Sequence, residues 1–284
     1  MRHIGKFMVA FVASVAALGA GAQNLIYGDS AGSNRIDVIN RDTGALIRSC
    51  SPNKGNGRGM VVVGNIAYFT VAGSNNVFKI DINTCADLGI AFSVAGATGL
   101  STIAYDGTNF WIGDYSGTNN AYYYSPTGAL LKTIALTNCT GFCDGLEFFN
   151  GKLISNRGDA VGPYDVYDTN GALLTPAFIN FSSDTTGIAY DGTFFYVSLV
   201  HGSLIKVFDG TTGAFVRDMP LTNGSGFLIE DLSTDYAQRQ DTGGGGNVQV
   251  ALPANIPTLS EWALILLSTL LALAAVWRMR KRGM

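Results

Sequence analysis

The chain has 284 residues, a formal net charge of −3, 47% hydrophobic and only 14% charged residues, with 36 glycines, four cysteines and two histidines. A nucleic-acid binder needs a basic surface that this composition lacks. There is no His/Cys cluster with zinc spacing, no Gly-x-Ser-x-Gly elbow, no P-loop and no dinucleotide fingerprint, which thins out the usual enzyme classes.

In chain order, residues 1–22 come first and read as a signal peptide. Arg2 and Lys6 form a positive start, Phe7 to Leu18 an apolar core, and Ala20-Gly21-Ala22 an A-x-A cleavage site before Gln23. An uncleaved anchor is the competing reading. With His3 removed, His201 is the sole histidine.

Residues 23–240 repeat at about 42 residues, a period that suits propeller blades. Tyr105-Asp106-Gly107-Thr108-Asn109-Phe110-Trp111 returns as Tyr190-Asp191-Gly192-Thr193-Phe194-Phe195-Tyr196, with Phe149-Asn150-Gly151 between them and Val63-Gly64-Asn65 earlier. Asp-Gly and Asn-Gly between apolar runs predict hairpins with type I′ turns. A second marker follows each first one: Asp42-Thr43-Gly44, Thr84-Cys85, Pro126-Thr127-Gly128, Thr169-Asn170-Gly171 and Thr211-Thr212-Gly213. Each unit then reads as four short antiparallel strands, one blade. The body opens on a second strand, Asn24 to Asp29, and the missing first strand comes last, as Gly226 to Asp231. An all-β, five-bladed propeller closed by pairing of its N- and C-terminal strands is the expected fold, since closure removes exposed edges. A β-sandwich of the same strands is the alternative.

Residues 241–255 form a Gly-rich linker around Gly243-Gly244-Gly245-Gly246. The last segment, 256–284, carries Ile256-Pro257-Thr258-Leu259 and Trp262, an apolar run over 262–277, and a basic stop at Arg278, Arg280, Lys281 and Arg282. A helix over that run would be about 24 Å long, short of the ~30 Å hydrocarbon core, with Trp at both interfaces and the basic cluster cytoplasmic. A buried C-terminal helix is the bland alternative.

Ile256-Pro257-Thr258-Leu259, two residues and then Trp262, followed by helix and basic stop, resembles the IPTL-CTERM sorting signal of Gram-negative bacteria, a relative of the PEP-CTERM signals. Ala263 stands where that family often has Gly. The resemblance implies export, an inner-membrane intermediate held by the C-terminal helix, processing by an exosortase-type protease, and then the cell surface or exterior. It also implies an association with extracellular polysaccharide.

Without its two ends the body holds 12 Lys/Arg and 20 Asp/Glu, near −8. This disfavours nucleic acid and anionic membrane as partners and is compatible with divalent cations or neutral glycans. The loops expected on one propeller face offer Asp29, Asp114, Asn156, Asp159 and His201 as a ligand rim. Asp144, Glu147, Glu230 and Asp231, near the inner strands, are the candidate Ca2+ ligands, because calcium takes six to eight oxygens. The competing role for such residues is turn capping. The aromatic set Trp111, Tyr122, Tyr123, Tyr124, Phe194, Phe195 and Tyr196 offers sugar stacking or blade packing. Cys139 and Cys143 are expected to pair. Cys50 and Cys85 are then left to pair, but the strand phasing places them toward opposite faces, so either the phasing slips there or one cysteine is free.

Three readings follow. The first is an exported, surface-sorted propeller acting as a binding or matrix component. The second is a calcium-dependent propeller hydrolase of lactonase or esterase type, and the third a purely structural surface protein. No catalytic residue is assigned.

Overall fold

In the computed structural model the described residues are 24–31, 35–223 and 228–239. The expected signal peptide, linker and sorting helix lie outside them. Among the described residues no helix is long and apolar enough to cross a membrane.

Among the described residues twenty strands form five four-stranded antiparallel sheets, one per blade. The strands β1 (Leu25–Ser30), β2 (Arg35–Asn40) and β3 (Leu46–Cys50) belong to blade 1. Blade 2 is β4 (Gly57–Val63), β5 (Ile66–Val71), β6 (Asn76–Asp81) and β7 (Asp87–Ser93). Blade 3 is β8 (Leu100–Tyr105), β9 (Phe110–Asp114), β10 (Asn120–Tyr124) and β11 (Leu130–Ala135). Blade 4 is β12 (Leu146–Phe149), β13 (Lys152–Ser155), β14 (Tyr164–Asp168) and β15 (Leu173–Ile179). Blade 5 is β16 (Thr185–Tyr190), β17 (Phe194–Leu199), β18 (Leu204–Asp209) and β19 (Phe215–Pro220). The last strand, β20 (Ile229–Ser233), pairs antiparallel with β1 and completes blade 1. The ring thus closes by pairing of the first and last described strands, with the closing strand a few residues later than the sequence suggested.

Alternation places one face of each strand against the neighbouring blade. Ile26 and Ile39 of blade 1 meet Ala189, Tyr196 and Ile205 of blade 5. Tyr27, Ile36 and Val38 meet Met60, Phe69 and Ile80 of blade 2, and similar layers fill the other three interfaces. The aromatic set is part of this packing: Trp111, Tyr124, Phe195 and Tyr196 are buried, and Trp111 stacks on Tyr123 at 4.4 Å. Those buried rings are not a sugar platform.

The turns differ in kind. Asn150 and Gly151 both have positive φ, 47° and 74°, as a type I′ turn requires. At the two Asp-Gly sites only the glycine does, and the loop is longer. Asp106 instead accepts the N–H groups of Thr108 and Asn109, and Asp191 those of Thr193 and Phe194. The aspartates close these loops by side-chain capping.

Both disulfides are formed. Cys139–Cys143 has a Cα separation of 5.8 Å and Cys50–Cys85 one of 5.2 Å. The second corrects the expectation from strand phasing, and the reason is sheet twist. Neighbouring strands rotate by about 20–25°, so over three spacings the outer strand swings by roughly 60–75°. The end of each outer strand therefore leans onto the third-to-fourth-strand turn of the next blade. At blade 5, a Cβ on Gly213 would lie 1.9 Å from the Phe178 carbonyl oxygen of blade 4. Gly44, Gly128 and Gly171 meet Pro220, Phe92 and Ala135 in the same way. In blade 2 the position is Cys85, at φ 60°, and there the contact is covalent.

Candidate functional site

The inner strands β20, β4, β8, β12 and β16 surround the channel. They approach closely where glycine has no side chain: a Cβ on Gly187 would lie 2.4 Å from the Asp231 Cα. Each inner strand has one unpaired edge, and its N–H groups need acceptors. Alternate side chains of β20 and the residues just after it supply them for blade 2. Met60 N–H donates to Asp231 Oδ2 (2.9 Å), Val62 N–H to Ser233 Oγ (2.8 Å) and Gly64 N–H to Asp235 Oδ1 (2.8 Å). Both chains advance two residues per step, which is the strand period. In blade 4, Glu147 accepts the Phe148 and Tyr190 N–H groups and pairs with Arg239 at 2.7 Å.

Two of the four proposed calcium ligands are therefore committed elsewhere. Asp231 and Glu147 are buried and satisfy edge N–H groups. Glu230 is instead paired with Arg58 at 2.6 Å, and Asp144 accepts the Ala160 N–H at 3.1 Å. Among the described residues no three His, Cys, Asp or Glu side chains converge as a metal-ligand group. Strand alternation explains this: acids that looked adjacent in sequence point along different directions and sit at different depths.

The expected ligand rim is also divided. Asp29, Asp114 and Asn156 are buried, while Asp159 and His201 are exposed. Asn156 holds the backbone turn, accepting from Asp144 N–H and Gly145 N–H and donating to the Thr185 carbonyl. Asp114 accepts the Ser116 hydroxyl at 2.6 Å. His201 pairs with Asp184 at 2.7 Å, and this raises its pKa.

What the fold assembles at this end of the channel draws on every blade. Blade 1 gives Asp29 and Glu230, and the segment entering blade 5 gives Asp184, with His201 in that blade. Arg58 (blade 2), Tyr115 (after β9 of blade 3) and Asp144 (before β12 of blade 4) lie in one electrostatic neighbourhood with them. Burial pushes Asp144 up to about 6, with Glu230 and Asp159 adding to the rise against the Ala160 N–H and Arg58. Asp29 is raised well above the usual range, first by burial and then by Glu230, and its Oδ2 has no hydrogen-bond partner. Arg58 lies 5.8 Å from the Tyr115 ring centroid, and Tyr115 meets Phe142 edge-on at 4.9 Å. The mouth thus combines carboxyl groups whose pKa values burial raises, one guanidinium and two partly exposed rings. Such a set can exchange hydrogen bonds with hydroxyl-rich ligands and stack on their apolar faces. Arg58, Tyr115, Phe142 and Asp184 were not singled out from the sequence. Only their placement from separate repeats marks them.

The other end of the channel is covered. Residues Thr234–Arg239, which include a short 3-10 turn at Tyr236–Gln238, follow β20 across it as a strap. Thr234 donates its hydroxyl to the Tyr190 carbonyl of blade 5, and Asp235 holds Gly64 of blade 2. Tyr236 packs on Tyr105 of blade 3, ring centroids 5.0 Å apart. Arg239 donates to the Phe148 carbonyl and Glu147 of blade 4, with its side chain 1% exposed.

Residues 254–281 match the IPTL-CTERM motif. The chain therefore carries this C-terminal sorting signal on a five-bladed propeller body, a combination that points to an exported cell-surface protein and implies processing by an exosortase-type enzyme. No curated protein matches the chain. Among solved structures, a chain in a nidogen/laminin complex is 10% identical, with a TM-score of 0.52 over 74% of this chain and 97% of that one. A chain of the computationally designed Ika8 protein is 20% identical, with a TM-score of 0.40 over 75% of this chain and 63% of that one. Glutaminyl cyclase from Myxococcus xanthus is 13% identical, with a TM-score of 0.44 over 63% and 70%. The first likeness shows the fold alone.

Proposed function

We propose that this protein is an exported, surface-sorted propeller that acts as a binding or extracellular-matrix component and takes polysaccharide at the acidic mouth of its channel. The sorting signal at 254–281, joined to a closed propeller, carries the reading. Two formed disulfides, with no cysteine free among the described residues, support an oxidising destination. In this reading the signal peptide ends at Ala22 and the run from Trp262 to Trp277 spans the inner membrane until an exosortase-type protease acts. The basic stop stays cytoplasmic.

The test has two parts. Surface biotinylation of producing cells compares the full chain with one ending at residue 253. The full chain should be labelled, and equal labelling of both would remove the tail's role. Retention on the producer's exopolysaccharide is then compared for wild type and Tyr115→Ala. Retention unaffected by Y115A would move the ligand away from the mouth, and no retention by wild type would leave a purely structural surface protein.

A second reading, a hydrolase, is favoured by one observation: Asp144, with a pKa of about 6, can hold and release a proton near neutral pH. Turnover of lactones or esters that is lost in Asp144→Asn would support it. Calcium dependence of that turnover would restore the metal to the scheme.

A further inference from the structure

The two described ends of the propeller meet the closing pair at the same place. The register of β1 and β20 pairs Tyr27 with Ser233 and Ser30 with Ile229. The chain therefore enters β1 and leaves β20 at one end of an antiparallel pair. A pull on the tail against the N-terminal end would open this pair from that end, breaking its hydrogen bonds one after another. That is the weak direction, because the bonds do not share the load.

The strap stands between the tail and this weak point. Its Asp235, Tyr236, Arg239 and Thr234 hold blades 2, 3, 4 and 5 in turn. Val62 and Asp235 also form a parallel bridge, so the strap continues the inner ring of strands. Arg239 has its side chain 1% exposed and three of its nitrogens bonded, to Thr234 Oγ1, Phe148 O and Glu147 Oε2.

We propose that the strap is a mechanical clasp: tension arriving through the C-terminal tail is taken by Arg239–Glu147 and the other blades before it reaches the β1–β20 seam. This use of the strap rests on the proposed sorting route and applies while the unprocessed tail still holds the protein in the inner membrane.

The experiment is optical-trap unfolding of the full chain in detergent, with handles at its two ends. Wild type is compared with the double variant Glu147→Leu/Arg239→Leu, which removes both charges so that neither is left buried alone. Wild type should show a release of about 20 Å, six residues at ~3.3–3.6 Å each, before or within the main rupture. The variant should unfold at least about tenfold faster under load, while its unloaded unfolding in urea changes less than about threefold, since forced unfolding is governed by the unfolding rate. Equal lifetimes under load would overturn the proposal, and so would equal acceleration with and without load, which marks a general stabiliser. If the double variant does not fold, Tyr236→Ala takes its place with the same expected outcomes. Surface biotinylation is read separately, so a displayed chain with no clasp effect overturns this inference alone.

Discussion

The two ends of the channel are built from the same kinds of residue and finished in opposite ways. At the strap end, Glu147, Asp235 and Arg239 each have several partners, so their polar groups are satisfied where they are buried. At the mouth, Asp29 has an unpartnered oxygen and Asp144 a single backbone donor. A buried charge with partners resists change, whereas a buried acid without them is costly to keep ionised. The comparison separates structural carboxylates from available ones, which composition and spacing alone could not do.

The contrast breaks most sharply at the strap. Arg239→Met strands Glu147 in the interior and should cost about 3–5 kcal/mol in urea unfolding of the chain without its sorting segment. A loss below about 1 kcal/mol would mean that Glu147 is not left buried and uncompensated when its partner is removed. Next comes the covalent contact between blades 1 and 2. Cys50→Ala/Cys85→Ala opens a bridge of sequence separation 35 and should cost about 4 kcal/mol, read in the same way.

At the mouth the sign reverses. Asp144 binds its proton more tightly folded than unfolded, so it stabilises relatively below its unfolded pKa, and that contribution is lost as pH rises toward about 6. Asp144→Asn should therefore be more stable than wild type at pH 7 by about 1–2 kcal/mol, with the gain shrinking toward pH 4. Destabilisation at pH 7 would show Asp144 to be a structural acid like Glu147. The smallest effect concerns cations. With Asp231 and Glu147 occupied by backbone N–H groups, millimolar calcium against EDTA should move Tm by less than about 1 °C, whereas a saturated site would move it by several degrees. Such a shift would return Asp144 and Glu230 to candidacy as ligands.

The repeat made most of the fold legible. Val63-Gly64-Asn65, Asn150-Gly151 and the Asp-Gly pairs announce hairpins through local backbone demands, so strand count, blade count and ring closure follow from neighbouring residues. The motif at 254–281 is legible for the same reason, since a sorting signal is a linear address. The fate of individual carboxylates is not local. Whether Asp231 meets the Met60 N–H or solvent depends on a strand 171 residues away in sequence. The Cys50–Cys85 bridge depends on the accumulated twist of a whole blade, which strand phasing ignores. The strap depends on ring closure itself, because Arg239 can reach Glu147 only after all five blades are in place. Sequence alone therefore determined the destination signal and the architecture, through short-range chemistry. Only the tertiary structure decided which acids are available, which cysteines meet and where the channel is sealed, because each of those is a contact between different repeats.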